Sequence, residues 1–222
     1  MTDERPIRPI CVYSHVRSGS ALLLETLAPN FWPDWDLARP PGGLWGHYAN
    51  LQPSTVTIAS KLHCGHLFWR KKGRGPCIYI VRDGRDVAVS TWRTKEFLHP
   101  DWQDMSFAEY IRTPLDWLIS PGHKRDPRWT IIEHWYHHAR GWMNRPTVCY
   151  VRYENLVLRP LHVLGGLSKW LGIPHQGITV QKPVGYAPHE GTVGRWKQYF
   201  TQDDLQHFFR TVPRKFWGLW RL

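Results

Sequence analysis

No stretch of this chain approaches the roughly eighteen consecutive apolar residues that a membrane-spanning helix needs, so no such helix is expected. Cysteine is scarce. Cys11, Cys64, Cys77 and Cys149 lie far apart, mostly in or beside strand-like runs, which predicts buried free thiols rather than a disulfide framework. Acidic residues are outnumbered, 18 against 29 Lys and Arg, giving a formal net charge of +11. That balance calls for an anionic partner but does not choose among nucleic acid, heparin-like glycans and anionic nucleotides. Long basic tracts are missing too. Arg70-Lys71-Lys72-Gly73-Arg74 is the only dense one, and a solvated loop accounts for it. Two common nucleotide signatures are absent: there is no G-x-G-x-x-G, and no Walker A loop with its Lys-Ser/Thr end. The start, Met1-Thr2-Asp3-Glu4-Arg5-Pro6, is charged and leads quickly into a strand, so a signal peptide is not expected and a cytoplasmic location is the default.

What is present is a globular composition, 42% hydrophobic over 222 residues, enough for one domain with a substantial core. Tryptophan is in excess, at 14 residues, which core packing and aromatic ligand walls can share. The most informative run is 77–90. Residues 77–81 are mostly β-branched or aromatic and read as a buried strand; Asp83-Gly84 breaks it, and Asp86 is placed to cap a helix carrying Val87, Val89 and Ser90. A strand, a tight turn and a helix N-terminus together make an anion site, because the first helical N–H groups lack internal partners. Arg82 and Arg85 add guanidinium forks suited to phosphate or sulfate, although Arg-Asp pairs after a strand are also common as plain salt bridges.

The same pattern occurs near the start. Residues 9–14 read as a strand, His15-Val16-Arg17-Ser18-Gly19-Ser20 as a loop, and Leu22, Leu23, Leu24 and Leu27 as the apolar face of a helix. Arg17 occupies the place of a P-loop cation. With these two stretches the chain resembles the sulfotransferases that use 3′-phosphoadenosine 5′-phosphosulfate (PAPS). Val16 to Ser20 is similar to their R-S-G-S/T phosphosulfate loop, as found in carbohydrate and tyrosyl-protein members, and Arg82 to Ser90 matches R-x-x-R-D-x-x-V-S at every specified position.

Further matches follow along the chain. Residues 55–60 read as a short strand delivering Lys61-Leu62-His63, similar to the family's K-T-H with Leu62 in place of Thr. Residues 129–142 read as a helix with Ile131, Trp135, His138 and Trp142 on one face, and Trp135 to Trp142 resembles W-x-x-H-x-x-G-W, whose His borders the acceptor; a core-facing His138 is the alternative. After a strand at 147–152, Tyr153-Glu154-Asn155-Leu156 resembles Y-E-D-L, and 156–171 reads as a helix ended by Gly172. Gly191, Gly194, Trp196, Lys197, Phe200 and Thr201 match R-K-G-x-x-G-D-W-K-x-x-F-T, but His189-Glu190 stands where the family has a basic pair. The family's dimer motif is incomplete, with Gln202 and Gln206 in place of its Val and Glu, so the oligomeric state stays open. Residues 28–53, 92–128 and 173–188 match nothing and are the places expected to select the acceptor.

The expected fold is α/β: a P-loop-like, mostly parallel sheet flanked by helices in a single domain over 1–222, with strands near 9–14, 55–60, 77–82 and 147–152. The resemblance implies sulfuryl transfer from PAPS, with 3′,5′-ADP as product, to a hydroxyl or amine of a small or glycan-like acceptor. Its implied roles are His63 as base, Lys61 and Arg17 as charge stabilisers, and Ser18, Gly19 and Ser20 around the 5′-phosphate. Arg82, Ser90, Gly191 and Lys197 fall to the 3′-phosphate, Tyr153 to the adenine, and His138 and Trp135 to the acceptor. No metal, nucleic acid or membrane partner is expected. A zinc site from His63, Cys64 and His66 with His134, His137 or His138 is the weaker reading, since the spacing fits no standard ligand pattern. Two rival functions are a phosphotransferase on the same scaffold and a non-catalytic, Trp-rich module binding glycan or nucleic acid.

Overall fold

The computed structural model describes residues 11–31, 57–58, 77–94, 102–114, 129–143, 145, 148–179, 191–214 and 216. Four strands pair in parallel: β1 (Cys11–Ser14), β2 (Thr57–Ile58), β3 (Cys77–Val81) and β4 (Val148–Arg152), in the order β2-β1-β3-β4. Each falls inside a run expected to be a strand. The helices, in chain order, are α1 (Ser20–Phe31), α2 (Gly84–Arg93), α3 (Phe107–Tyr110), α4 (Ile131–Trp142), α5 (Tyr153–Leu158), α6 (Pro160–Leu171) and α7 (Gln202–Thr211).

Central β3 is buried along its whole length, as a parallel strand covered on both faces must be. Its side chains alternate between two layers. Ile78 and Ile80 join Val12, Leu23, Leu27, Leu156, Leu164 and Leu167 under α1, α5 and α6. Tyr79 and Val81 join Tyr13, Val87, Ile131, Trp135, Trp142 and Phe208 under α2, α4 and α7. Burying each large side chain of these layers contributes about 1.5–3 kcal/mol, which makes the sheet a firm platform for whatever its loops carry.

Local chemistry sets the helix ends. Thr130 and Glu133 form a capping box that starts α4, and Thr201 with Asp204 does the same for α7. The single helix expected over 156–171 is in fact two. Arg159 leaves helical geometry (φ −142°, ψ 55°) because Pro160 restricts the residue before it, and Pro160 then opens α6. Gly172 ends α6 in the left-handed conformation (φ 71°), as the sequence predicts. Helix α1 also runs past Pro29 to Phe31, into a segment expected to be irregular; Asn30 donates to the Thr26 carbonyl there and exchanges hydrogen bonds with Ile178. Cys77 and Cys149 are free thiols.

The strand order reverses between β1 and β3. In open α/β sheets this reversal brings two loops together at the carboxyl ends of neighbouring strands, where a crevice can form. The loops are residues 15–20 and 82–84.

Candidate active site

The first loop turns sharply from β1 into α1. The Ser18 N–H donates to the His15 carbonyl at 3.2 Å, and Leu23 N–H donates to Gly19 at 3.0 Å as the helix begins. The path demands left-handed backbone at Gly19 (φ 95°) and also at Arg17 (φ 59°). For Arg17 that geometry costs on the order of 1–3 kcal/mol, so the surrounding structure must hold it. Part of that hold comes from the second loop: Arg17 Nε donates to Ser90 Oγ at 3.2 Å, and Arg82 donates to the Arg17 carbonyl at 3.2 Å. Only glycine fits at position 19, where a Cβ would lie 2.3 Å from the Tyr153 ring. The Ser18 hydroxyl is buried and has no hydrogen-bond partner within the described residues.

The second loop is braced throughout. Glu154 accepts the Asp83 N–H at 2.8 Å, and Asp83 in turn caps α2 by accepting the Arg85 N–H at 2.9 Å. The expected cap, Asp86, has another task. Its carboxylate accepts the N–H groups of Gly194 (2.8 Å) and Trp196 (2.9 Å), fastening residues 191–198 to the start of α2. Arg85 is likewise not offered to an anion; it pairs with Asp83 and lies 3.8 Å over the Trp196 ring. Beneath the loop, Trp135 donates Nε1 to the Arg82 carbonyl at 3.2 Å and packs on Gly84, where a Cβ would sit 2.4 Å from its ring.

Between the loops lies a pocket, partly open to solvent, lined by Arg17, Gly19, Leu22, Arg82, Ser90, Tyr153 and Gly191. Arg82 spans it, donating to the Thr192 carbonyl at 3.1 Å with its guanidinium 4.2 Å over the Tyr153 ring. Burial raises the carboxyls of Asp86 and Glu154 above the usual carboxylate range, partly offset for Asp86 by Arg82 and for Glu154 by the Asp83 N–H. Burial also raises the Tyr153 phenol.

The structure therefore brings together Arg17, Gly19, Arg82, Ser90, Tyr153 and Gly191, with Ser18 and Ser20 in the same loop. Lys197 is exposed on the turn Arg195–Gln198 and does not line the pocket. Trp135 is fully buried and supports the Arg82 loop from below, so it forms no wall of an open acceptor pocket. His138 is buried and shares a 2.9 Å hydrogen bond with the Tyr79 hydroxyl, as the core-facing alternative predicts. Lys61, His63, Cys64, His66, His189 and Glu190 lie outside the described residues. Among the described residues no cluster of His, Cys, Asp or Glu could hold a metal ion. Local sequence gave no sign of the parts played by Asp86, Glu154, His15 and His134. The acidic residues of R-D-G-R-D and Y-E-N-L were the available signal, but their partners lie up to 110 residues away.

The Sulfotransferase domain model matches residues 49–187. Human sulfotransferase 1C2 is 21% identical over 220 residues, covering 84% of this chain and 70% of that protein. Among solved structures, mouse sulfotransferase SULT7A1 complexed with PAP superposes with a TM-score of 0.61 at 16% identity, covering 93% of this chain and 83% of that one. Retinol dehydratase in complex with androsterone and inactive cofactor PAP gives 0.55 at 15% identity, over 93% of this chain and 80% of that chain. A sulfotransferase from Alicyclobacillus acidocaldarius gives 0.54 at 13%, over 98% and 97%. Because the family model takes in well over half of the residues, the chain belongs to the sulfotransferase family and is an enzyme of its PAPS-dependent kind.

Proposed function

We propose that this enzyme moves the sulfuryl group of PAPS onto a hydroxyl, or an amine, of a small-molecule or glycan-like acceptor. The observation that carries this reading is the single pocket into which Arg17 of one loop and Arg82 and Ser90 of the other converge. Its donor set fits a nucleotide with two separate phosphate groups, and the Ser18 hydroxyl, which has no partner among the described residues, supplies one more buried donor at the first loop.

In this reading Arg17 and the N–H groups around Ser18, Gly19 and Ser20 hold the 5′-phosphosulfate. Arg82, Ser90 and Gly191 hold the 3′-phosphate, with exposed Lys197 as a further cation, and Tyr153 lies by the adenine. When bound, PAPS supplies an activated sulfuryl group. His63 takes the proton from the acceptor as its oxygen or nitrogen attacks, since imidazole titrates near neutral pH. Lys61 and Arg17 balance the negative charge that builds on the transferring and leaving oxygens.

The test is a mass-spectrometric screen with PAPS and a panel of phenols, amines, glycans and apolar alcohols. Retinol and androsterone belong in the panel, since retinol dehydratase of similar fold was crystallised with each. The expected result is a PAPS-dependent gain of one sulfate in one acceptor class, undiminished by chelation of magnesium, which separates it from phosphoryl transfer. No gain in any class, together with no binding of 3′,5′-ADP, contradicts the proposal.

A further inference from the structure

Beside the first loop lies a histidine pair that the proposed chemistry does not use. His15, the residue after β1, is 1% exposed. Its carbonyl closes the turn of the loop, and its ring Nδ1 lies 2.9 Å from the Val16 carbonyl, an acceptor that requires Nδ1 to carry a hydrogen. The other ring nitrogen, Nε2, faces Nδ1 of His134 on α4 at 2.8 Å. The next residue of α4, Trp135, is the one that holds the Arg82 carbonyl. One turn of one helix thus reaches both loops: His134 reaches the first and Trp135 the second.

We propose that His134 is a positioning residue for the phosphosulfate loop, acting through His15, and that the contact works only while the two rings share a single bridging hydrogen. With Nδ1 of His15 committed to Val16, its Nε2 accepts in the neutral ring and donates in the cation. The neutral pair is joined by His134 N–H donating to His15. A pair with one extra proton is joined equally well, the added proton sitting on Nε2 of His134 while one hydrogen still bridges the rings. A second extra proton sets two N–H groups and two positive charges face to face, and the bond is lost. The described titratable neighbours are His138, whose ring lies 5.3 Å from His15 and 6.3 Å from His134, and Tyr79, hydrogen-bonded to His138. Arg17, two residues along the loop, is engaged with Ser90, and Glu133, beside His134, accepts the Thr130 N–H.

This inference rests on the assignment of the first loop to the 5′-phosphate, so its test separates the two. Calorimetry is run with 5′-AMP, which carries only that group, and with 3′-AMP, which lacks it. His134→Phe removes the bridge, and His134→Asn keeps an amide that can donate or accept near the former Nδ1 without titrating. His134→Phe is expected to weaken 5′-AMP about 3- to 10-fold, the scale of one hydrogen bond, and to leave 3′-AMP unchanged, which also shows that the variant is folded. His134→Asn is expected to restore 5′-AMP binding. On acidification, the ratio of wild-type to Asn-variant affinity should fall, because titration of the phosphate itself cancels in that ratio. Equal weakening of both nucleotides by His134→Phe, no weakening of 5′-AMP, or a pH-independent ratio overturns the proposal. If Arg17→Ala also leaves 5′-AMP binding intact, the phosphate assignment is what has failed.

Discussion

The two loops that frame the pocket solve one problem in opposite ways. The loop after β1 is strained, with Arg17 in a left-handed conformation, and it keeps a buried hydroxyl without a hydrogen-bond partner among the described residues. The loop after β3 is held mostly by partners on other elements, and Arg82 Nε is its one buried side-chain atom without a hydrogen-bond partner among the described residues. Glu154 holds its N–H, Asp83 caps its helix, Trp135 holds its carbonyl and Asp86 fastens the C-terminal residues to it. What the second loop offers a ligand is little more than the Arg82 fork and the Ser90 hydroxyl. The contrast separates a rigid reader from a strained cradle, and the rigid loop also holds the cradle through Arg82 and Ser90.

Proton transfer should belong to neither loop. His63→Ala is expected to lower kcat by roughly 10²–10⁴-fold, the range for loss of a general base, while the affinity for 3′,5′-ADP stays close to wild type. A large loss of affinity in that variant would place His63 in the binding region.

Removing the rigid reader comes next in size. Arg82→Ala should cost about 1.5–3 kcal/mol in binding 3′,5′-ADP, roughly 10- to 150-fold. Sequence alone predicts little effect on 5′-AMP, which lacks the 3′-phosphate. The hydrogen bond from Arg82 to the Arg17 carbonyl changes that expectation to a smaller loss, about 1 kcal/mol or less. Equal losses for the two nucleotides, measured by calorimetry, would mean Arg82 only supports the cradle. Ser90→Ala should cost about 1 kcal/mol with 3′,5′-ADP, and because Ser90 accepts from Arg17 it should weaken 5′-AMP as well. An unaffected 5′-AMP would show that the cradle stands without this brace.

The smallest effect concerns pH. Burial raises the Glu154 and Asp86 carboxyls, so the folded state binds their protons more tightly than the unfolded chain does. Their contribution to stability is therefore fullest below the ordinary carboxylate values and is lost as pH rises through the raised ones. Glu154→Gln keeps an acceptor for the Asp83 N–H and removes one titration, so the decline of Tm across that window should flatten. A slope unchanged in the variant would show that Glu154 titrates normally.

Much of this arrangement was legible in the sequence because it is local. Strand, glycine loop and apolar helix face each lie within a few neighbouring residues, so both loops and all four strands could be placed. The break before Pro160 was equally local and was overlooked: a residue preceding proline is pushed away from helical geometry. The remaining differences come from distance along the chain. Asp83 and Asp86 are both plausible caps, and what decides between them is the Gly194 and Trp196 N–H groups more than a hundred positions away. Arg85 reads as an anion donor until Trp196 is seen beneath its guanidinium. The family resemblance implies Trp135 beside the acceptor, but a motif does not say what a side chain packs against, and here it meets Gly84 and the Arg82 carbonyl. His15 gave no signal, since its partner His134 is 119 residues further on.

The most direct test of the central claim, that two loops read two phosphates of one nucleotide, needs no mutation. Calorimetric titration of the unmodified protein with 3′,5′-ADP, 5′-AMP and 3′-AMP should show 3′,5′-ADP binding at least about 10-fold more tightly than either monophosphate, since each group adds charged hydrogen bonds. Equal affinity for 3′,5′-ADP and one of the monophosphates would contradict it.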